Sequence, residues 1–164
     1  MVIDDPNVPP IATRLALVKL FLELHLFNPA LLVLQGVMSS DDQEVEAWYL
    51  EGWCFFMMAE QARENGEKLD DLTWEELAKD SRDCLETCKI VRLLYFAFQI
   101  YDISLFQLHV NEGHPDMPLL EHASELINQL DQLGITPSPV DQGVELEWED
   151  ADGSDSSDED VEME

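Results

Sequence analysis

The segment 44–60, EVEAWYLEGWCFFMMAE, constrains the fold more than any other part of the chain. Large apolar side chains lie on nearly every side of this helix-length window: Val45, Trp48, Tyr49, Leu50, Trp53, Phe55, Phe56, Met57 and Met58. A helix with one apolar stripe lies on a surface, whereas a helix that is apolar all round is enclosed by other elements. The segment therefore predicts a central helix with neighbours on several sides.

A single glycine, Gly52, stands among these side chains. Glycine inside a helix costs about 1 kcal/mol relative to alanine, so we expect another backbone to come very close at this point. Trp48 lies one turn before Gly52, and Phe55 follows one turn later. A face of large, small and aromatic residues at this spacing is typical of helix A in a tetratricopeptide (TPR) repeat.

The charge balance limits the partners that the chain can have. It contains 36 acidic and 8 basic residues, for a formal net charge of −28. A chain so acidic repels nucleic acid phosphates and anionic membranes and attracts basic proteins. We therefore expect no direct nucleic acid partner, no membrane partner and a strongly basic protein as the client.

Enzymatic and metal-dependent functions find no support in the sequence. It contains no GxSxG motif and no glycine-rich phosphate loop. Cys84 and Cys88 are one helical turn apart, but no CxxC or HxxxH motif supplies further ligands, which favours core packing over metal binding. We expect a protein that is not an enzyme and needs no cofactor or metal. Three cysteines, an odd number, indicate reduced thiols in the cytoplasm or nucleus.

Helical spacing and capping residues predict an all-α fold without strands. Asn28 and Pro29 are predicted to start the second helix. Ser40 with Gln43, and Thr73 with Glu76, are predicted capping boxes for the third and fourth helices. The predicted helices cover 11–27, 29–39, 43–64, 74–90 and 117–133. Residues 1–10 form a loose lead-in, and 135–164 are too charged and too poor in apolar residues to fold alone, which predicts a disordered acidic tail.

These helices form TPR-like antiparallel pairs, as in a fragment of an α-solenoid. The first predicted repeat covers 11–44 and the extended second repeat 45–91, followed by an atypical segment, 92–112, and a capping helix, 117–133, that completes a domain over 11–134. Marker positions of the repeat hold Arg14, Phe21 and Ala30 in the first unit and Trp48, Gly52, Phe55, Ser81, Leu85 and Cys88 in the second. Because a solenoid usually needs about three repeats, we expect the chain to be the C-terminal part of a longer array.

Three blocks of sequence resemble one family more closely than a generic TPR protein. They read EAWYLEGWCFFMMAE at 46–60, KDSRDCLETCK at 79–89 and LLEHASELINQL at 119–130. Together with the acidic tail, they are similar to the fungal TPR-repeat assembly chaperone of ribosomal protein L four. The resemblance implies a chaperone that captures this newly made, basic ribosomal protein, shields its long internal loop and escorts it from the cytoplasm to the nucleus. It also implies contact with the nuclear import machinery through the client.

The resemblance is interrupted at 91–111, VRLLYFAFQIYDISLFQLHVN. Every valine codon begins with the dinucleotide that opens a spliceosomal intron, and Val91 lies at the break. A retained intron and a true additional helix are both open interpretations. Sequencing of the transcript distinguishes them, since a spliced message without this stretch indicates an intron.

Certain helix-A positions of a TPR array face its concave groove instead of the neighbouring repeat. In the register above, the candidate client-binding residues are Lys19, Glu23, Glu46, Tyr49, Trp53 and Phe56. Core packing is the competing interpretation for the aromatic residues. In the tail, either client neutralisation or simple solubility explains the carboxylates Glu145, Glu147, Glu149, Asp150, Asp158, Glu159 and Asp160, and Ser156 and Ser157 are candidate sites for an acidophilic kinase.

The residue types at the groove positions also bear on two other classes of binding protein. A TPR module for chaperone C-termini holds a carboxylate with basic residues and Asn, but Lys19 is the only cation among the groove positions. That class is therefore disfavoured. An acidic histone-type chaperone and a general TPR scaffold stay open, because net charge alone does not distinguish between basic clients.

Overall fold

The structure, a computed structural model, describes residues 8–102 and 117–138, with the side chains of 98–102 excluded. Within these ranges the chain forms five helices: α1 (Ile11–Glu23), α2 (Phe27–Ser40), α3 (Val45–Asn65), α4 (Trp74–Asp102) and α5 (Met117–Gln132). The described residues contain no strand, apart from an isolated bridge between Leu69 and Leu72 in the connection before α4. The all-α prediction is confirmed.

The helices stack in a regular order. α1 packs on α2, and α3 on α4; α3 also contacts α1 and α2, and α5 contacts α3 and α4. Each pair thus stacks on its predecessor, as in an α-solenoid, while the finer assignment of the pairs to TPR repeats stays a prediction. Because α3 contacts all four other described helices, the apolar segment 44–60 is central, as predicted.

Gly52 marks the closest approach between α3 and α4. A Cβ atom built on Gly52 would lie 2.7 Å from Cγ of Leu85 and 3.2 Å from its backbone nitrogen. Leu85 is fully buried, and the hydroxyl of the buried Ser81 donates a hydrogen bond of 2.7 Å to the Gly52 carbonyl. The predicted close approach is confirmed, with α4 as the neighbour.

The connection between α1 and α2 differs from the prediction. α1 ends at Glu23 instead of 27, because His25 takes a positive φ of 55° that no helix continues. α2 begins at Phe27, so Asn28 lies within its first turn and is not the N-cap. Pro29 is accepted there because the N–H groups of the first turn have no partner within the helix. The amide of Asn28 instead donates to Asp70, with 3.4 Å between Nδ2 and Oδ1.

Of the two predicted capping boxes, only the second is correct. Ser40 belongs to the last turn of α2, where its hydroxyl donates to the Gly36 carbonyl at 2.9 Å. α3 therefore starts later, at Val45, and the Glu44 carboxylate accepts from the N–H of Glu46. Before α4, Thr73 and Glu76 form the reciprocal pair, with hydrogen bonds of 2.8 and 3.3 Å. These bonds from Thr73 lower the pKa of the Glu76 carboxyl.

α4 continues to Asp102, beyond Ile90, which was the minimum extent predicted from the sequence, so the first residues of the atypical segment extend this helix. Residues 135–138, which the sequence analysis assigns to the tail, form contacts with α4. The Ile135 carbonyl accepts a hydrogen bond of 2.6 Å from Arg82, and the N–H of Ser138 donates to Asp83 at 3.0 Å. Residues 135–138 therefore lie against α4.

Arg82 of α4 connects this helix to the end of α5 through ion pairs. Its side chain is only 10% exposed, and its guanidinium forms ion pairs with Glu86, at 2.9 Å, and with Asp131 at the end of α5. Burial disfavours the charged form, but the hydrogen bonds to Asp131 and Glu86 outweigh burial and raise the pKa of Arg82. This buried cation thus holds α5 in place.

Several predictions fall on residues 1–7, 103–116 and 139–164, which lie outside the described part of the chain. They include most of the lead-in, the end of the atypical segment, Ser156, Ser157 and all seven candidate carboxylates of the tail. Among the described helices, none is long and apolar enough to cross a membrane.

Candidate functional site

The candidate client-binding residues lie on α1 and α3, and α5 completes the same face. We call this surface the α1–α3–α5 face. At its α1 side, Nζ of Lys19 lies 2.5 Å from Oε1 of Glu46 on α3. The two side chains are 51% and 31% exposed, so the pair contributes little to stability, at most about 1 kcal/mol. Glu23, one turn beyond Lys19 on α1, is exposed.

An aromatic cluster of Tyr49, Trp53 and His122 occupies the α5 side of the face. The Tyr49 hydroxyl and Nδ1 of His122 are hydrogen-bonded at 2.7 Å. The imidazole meets both other rings at a steep angle, with centroid distances of 5.5 Å to Trp53 and 5.8 Å to Tyr49. Offset and edge-on geometries of this kind are favourable for aromatic pairs. All three side chains are partly exposed, so the cluster has a surface that a ligand can reach.

The environment of Tyr49 disfavours ionisation of its phenol. Burial raises its pKa to about 12, and the nearby Cys88 and Glu46 act in the same direction. A phenol that stays protonated at neutral pH remains a hydrogen-bonding group and carries no charge. The negative charge on this side of the face therefore comes from carboxylates such as Glu46.

Phe56 differs from the other predicted groove residues because it is only 6% exposed and belongs to the hydrophobic core. It lines a small space together with Trp74 of α4 and Leu130 of α5. The structure thus brings Lys19, Glu46, Tyr49 and Trp53 to one accessible face and places Phe56 beneath α5. Client binding by these residues stays a prediction.

His122 was not among the site residues predicted from the sequence. Its position in the sequence does indicate a partner. His122 comes three residues after Leu119 and four before Leu126, so it lies on the inward, apolar stripe of α5. A polar side chain on that stripe needs a partner. Its partner, Tyr49, lies 73 positions earlier in the chain, and only the packing of α5 on α3 brings them together.

The face is chemically suited to cationic side chains. Partly exposed tyrosine and tryptophan rings attract lysine and arginine through their π faces, and Glu46 and Glu23 add carboxylates at the α1 side. Lys19, which pairs with Glu46, is exposed enough to exchange with an incoming cation. A basic, extended segment of a client fits this combination of rings and acids.

The cysteines have surroundings that favour packing over chemistry. Burial raises the pKa of Cys54 to about 12 and also raises that of Cys84, whose thiol donates to Oε2 of Glu51 at 3.5 Å. Cys88 is buried. In the described ranges, no group of three or more His, Cys, Asp or Glu side chains is placed to hold a metal ion.

The described residues define the class of this chain: an all-α protein whose helices stack as in an α-solenoid, with a partly exposed aromatic cluster on one face. No protein-family model matches the sequence. The chain is 33% identical over 155 residues to a protein of Emericella nidulans named "Probable assembly chaperone of rpl4", a match that covers 89% of this chain and 37% of that protein. It is 27% identical over 157 residues to a Schizosaccharomyces pombe protein of the same name, covering 96% of this chain and 41% of that protein.

These matches confirm the resemblance found in the sequence: the chain is similar to two fungal proteins that are named as probable assembly chaperones of rpl4. It spans about two fifths of the length of these relatives.

Proposed function

We propose that this chain acts as a dedicated chaperone of a newly made, strongly basic ribosomal protein of the rpl4 type. The observation that carries the proposal is the accessible cluster of Tyr49, Trp53 and His122, with Glu46 beside it, in a chain of net charge −28. The names of the two relatives support the same client and describe a chaperone, which is not an enzymatic role.

Charge and aromatic contacts have different parts in this mechanism. The field of a strongly acidic chain draws in a basic client, but at physiological salt it is screened over about 8 Å. Charge therefore governs mainly the rate of capture. Once the client is bound, desolvated aromatic contacts to Trp53 and Tyr49 govern the rate of release, because large aromatic anchors dominate the binding energy of most interfaces.

We also propose that the chain accompanies its client from the cytoplasm to the nucleus. A bound basic segment is shielded from nucleic acid and from aggregation while the complex passes from the cytoplasm to the nucleus. The import machinery is reached through the client and not through this chain. Release occurs where the nascent ribosome offers a larger, more strongly negative surface.

A pulldown from cell lysate, with identification by mass spectrometry, tests the client. The expected result is enrichment of the rpl4-type ribosomal protein by the wild-type chain and its loss with Trp53→Ala. Trp48→Ala is the matched control, since the Trp48 indole donates to the Asp42 carbonyl at 2.7 Å and is not part of the aromatic cluster. Enrichment of histones in place of the ribosomal protein would contradict the proposal and favour a histone-type chaperone.

A further inference from the structure

A concave surface lies between α2 and α3. This shallow groove has a volume of about 570 Å³ and follows α2 from Asn28 to Ser39. At 1.5 Å per residue this is roughly 16 Å, or three turns of a helix. The groove is separate from the α1–α3–α5 face, because the side chains that α3 contributes to it are Glu51 and Phe55.

Most of the surface of this groove is apolar. Leu31, Leu32 and Met38 of α2 and Phe55 of α3 supply it, and the polar residues Asn28, Gln35 and Ser39 of α2 line the rest. Leu32 is 70% exposed, the largest exposure among the leucines, isoleucines, valines and aromatic residues of the described chain. Leu31, Met38 and Phe55 are partly exposed beside it. Accessible apolar side chains that gather in a groove, instead of standing singly, mark a binding surface.

Glu51 places one carboxylate within these apolar walls. It is partly buried, and its Oε2 accepts a hydrogen bond of 3.5 Å from the Cys84 thiol. No lysine or arginine forms an ion pair with Glu51 in the described ranges. Burial, together with Asp80 of α4, raises the pKa of Glu51, although the thiol acts in the opposite direction. The negative charge of Glu51 is thus only weakly balanced by neighbouring groups. A cationic side chain of a ligand would form the missing ion pair and stabilise the charged carboxylate.

We propose that this groove binds an amphipathic helix of a partner protein, whose apolar face carries one lysine or arginine that pairs with Glu51. An amphipathic helix in an apolar groove is a common mode of peptide recognition, read through anchors at i, i+3 or i+4 and i+7. Three turns of groove accommodate such a set of anchors. The carboxylate selects a helix with a cation among its apolar anchors over one that is wholly apolar. The inference does not depend on the proposed function of the α1–α3–α5 face.

Two synthetic 14-residue helical peptides test the groove. Both carry leucines at i, i+3 and i+7 in an alanine and glutamine background, and they differ only in a lysine or a glutamine at the anchor position i+4. Their affinities are measured by fluorescence anisotropy with the full chain. The lysine peptide is expected to bind about tenfold more tightly than the glutamine peptide, which corresponds to about 1.4 kcal/mol. Glu51→Gln should abolish this difference without unfolding the chain, because it removes a partly buried charge and keeps the shape.

Matched variants separate this site from the general acidity of the chain. Glu64→Gln removes an exposed charge elsewhere on α3 and should preserve the tenfold preference. Leu32→Ser should weaken both peptides, whereas Leu20→Ser, at an exposed leucine of α1, should weaken neither. The inference is overturned if neither peptide binds, if Glu51→Gln retains the preference for lysine, or if Leu32→Ser binds both peptides like the wild type.

Discussion

The hydroxyl of Tyr49 and Nδ1 of His122 lie 2.7 Å apart, and this hydrogen bond joins α3 to α5 on the α1–α3–α5 face. Both side chains are only partly exposed, so a partner lost from either one is not fully replaced by water. The bond therefore has a structural role as well as a place in the site. It fixes the ring of His122 against Trp53, where the two centroids are 5.5 Å apart.

Removal of this hydrogen bond should destabilise the chain. Tyr49→Phe deletes the hydroxyl and leaves the His122 nitrogen without its partner, at an expected cost of about 1 kcal/mol. Urea unfolding followed by circular dichroism measures the change. Tyr95→Phe on α4 is the control, since Tyr95 is 50% exposed and should tolerate the change. Equal stability of the two variants would show that the hydrogen bond does not hold α5.

Two glycines allow a matched test of helix packing. In Gly52→Ala the new Cβ would lie 2.7 Å from the buried Leu85 side chain, so we expect a loss of roughly 1–3 kcal/mol from overpacking. In Gly36→Ala, inside α2, the new methyl group meets nothing within 4 Å. Helix propensity should then stabilise the chain by up to about 1 kcal/mol. The thermal melting temperatures should shift in opposite directions, and a shared direction would contradict the packing described here.

The thiols give a prediction about pH. An ordinary cysteine has a pKa of about 8.5, whereas burial raises that of Cys54 to about 12. A raised pKa keeps the neutral thiol, which is the unreactive form. At pH 9, most Cys54 thiols of the denatured chain are ionised, but few are in the native chain. Mass spectrometry after a timed iodoacetamide pulse should show fast alkylation of Cys54 in denaturant and slow alkylation without it. Equal rates would indicate that Cys54 is not buried.

Exposed apolar stripes predict self-association. Leu17 and Leu20 of α1 are 41% and 49% exposed and lie one turn apart, and Leu24, directly after the end of this helix, is 59% exposed. Patches of this type cause association unless a partner covers them. We expect light scattering to show a mass that rises with protein concentration, and more steeply in high salt, where repulsion between acidic chains is screened. The double variant Leu20→Gln, Leu24→Gln should reduce this rise. A monodisperse monomer at every concentration would contradict the prediction.

Local chemistry made several features predictable from the sequence. Gly52 could be interpreted because a glycine in an apolar helix has few purposes other than close packing. Thr73 and Glu76 could be interpreted because a capping box acts within one turn of chain. In both cases the determining contacts are either short in sequence or demanded by a single residue type.

Helix boundaries were predicted less accurately where one residue suits two different positions. Pro29 is compatible with several positions in a first turn, so it did not reveal that α2 begins at Phe27. Ser40 suits both the end of one helix and the start of the next. The partners of His122 and Ile135 could not be found at all, because Tyr49 and Arg82 are far away in the chain and meet them only through packing.

The central claim, that the aromatic cluster holds the client while charge brings it in, is tested by binding kinetics with the purified rpl4-type ribosomal protein. Circular dichroism first shows that each variant is folded. We expect Trp53→Ala to leave association nearly unchanged and to speed dissociation by roughly 30-fold, equivalent to about 2 kcal/mol. Deletion of 141–164 should slow association and flatten its salt dependence, with little effect on dissociation. If the deletion abolishes binding while folded Trp53→Ala binds like the wild type, the α1–α3–α5 face is not the client site.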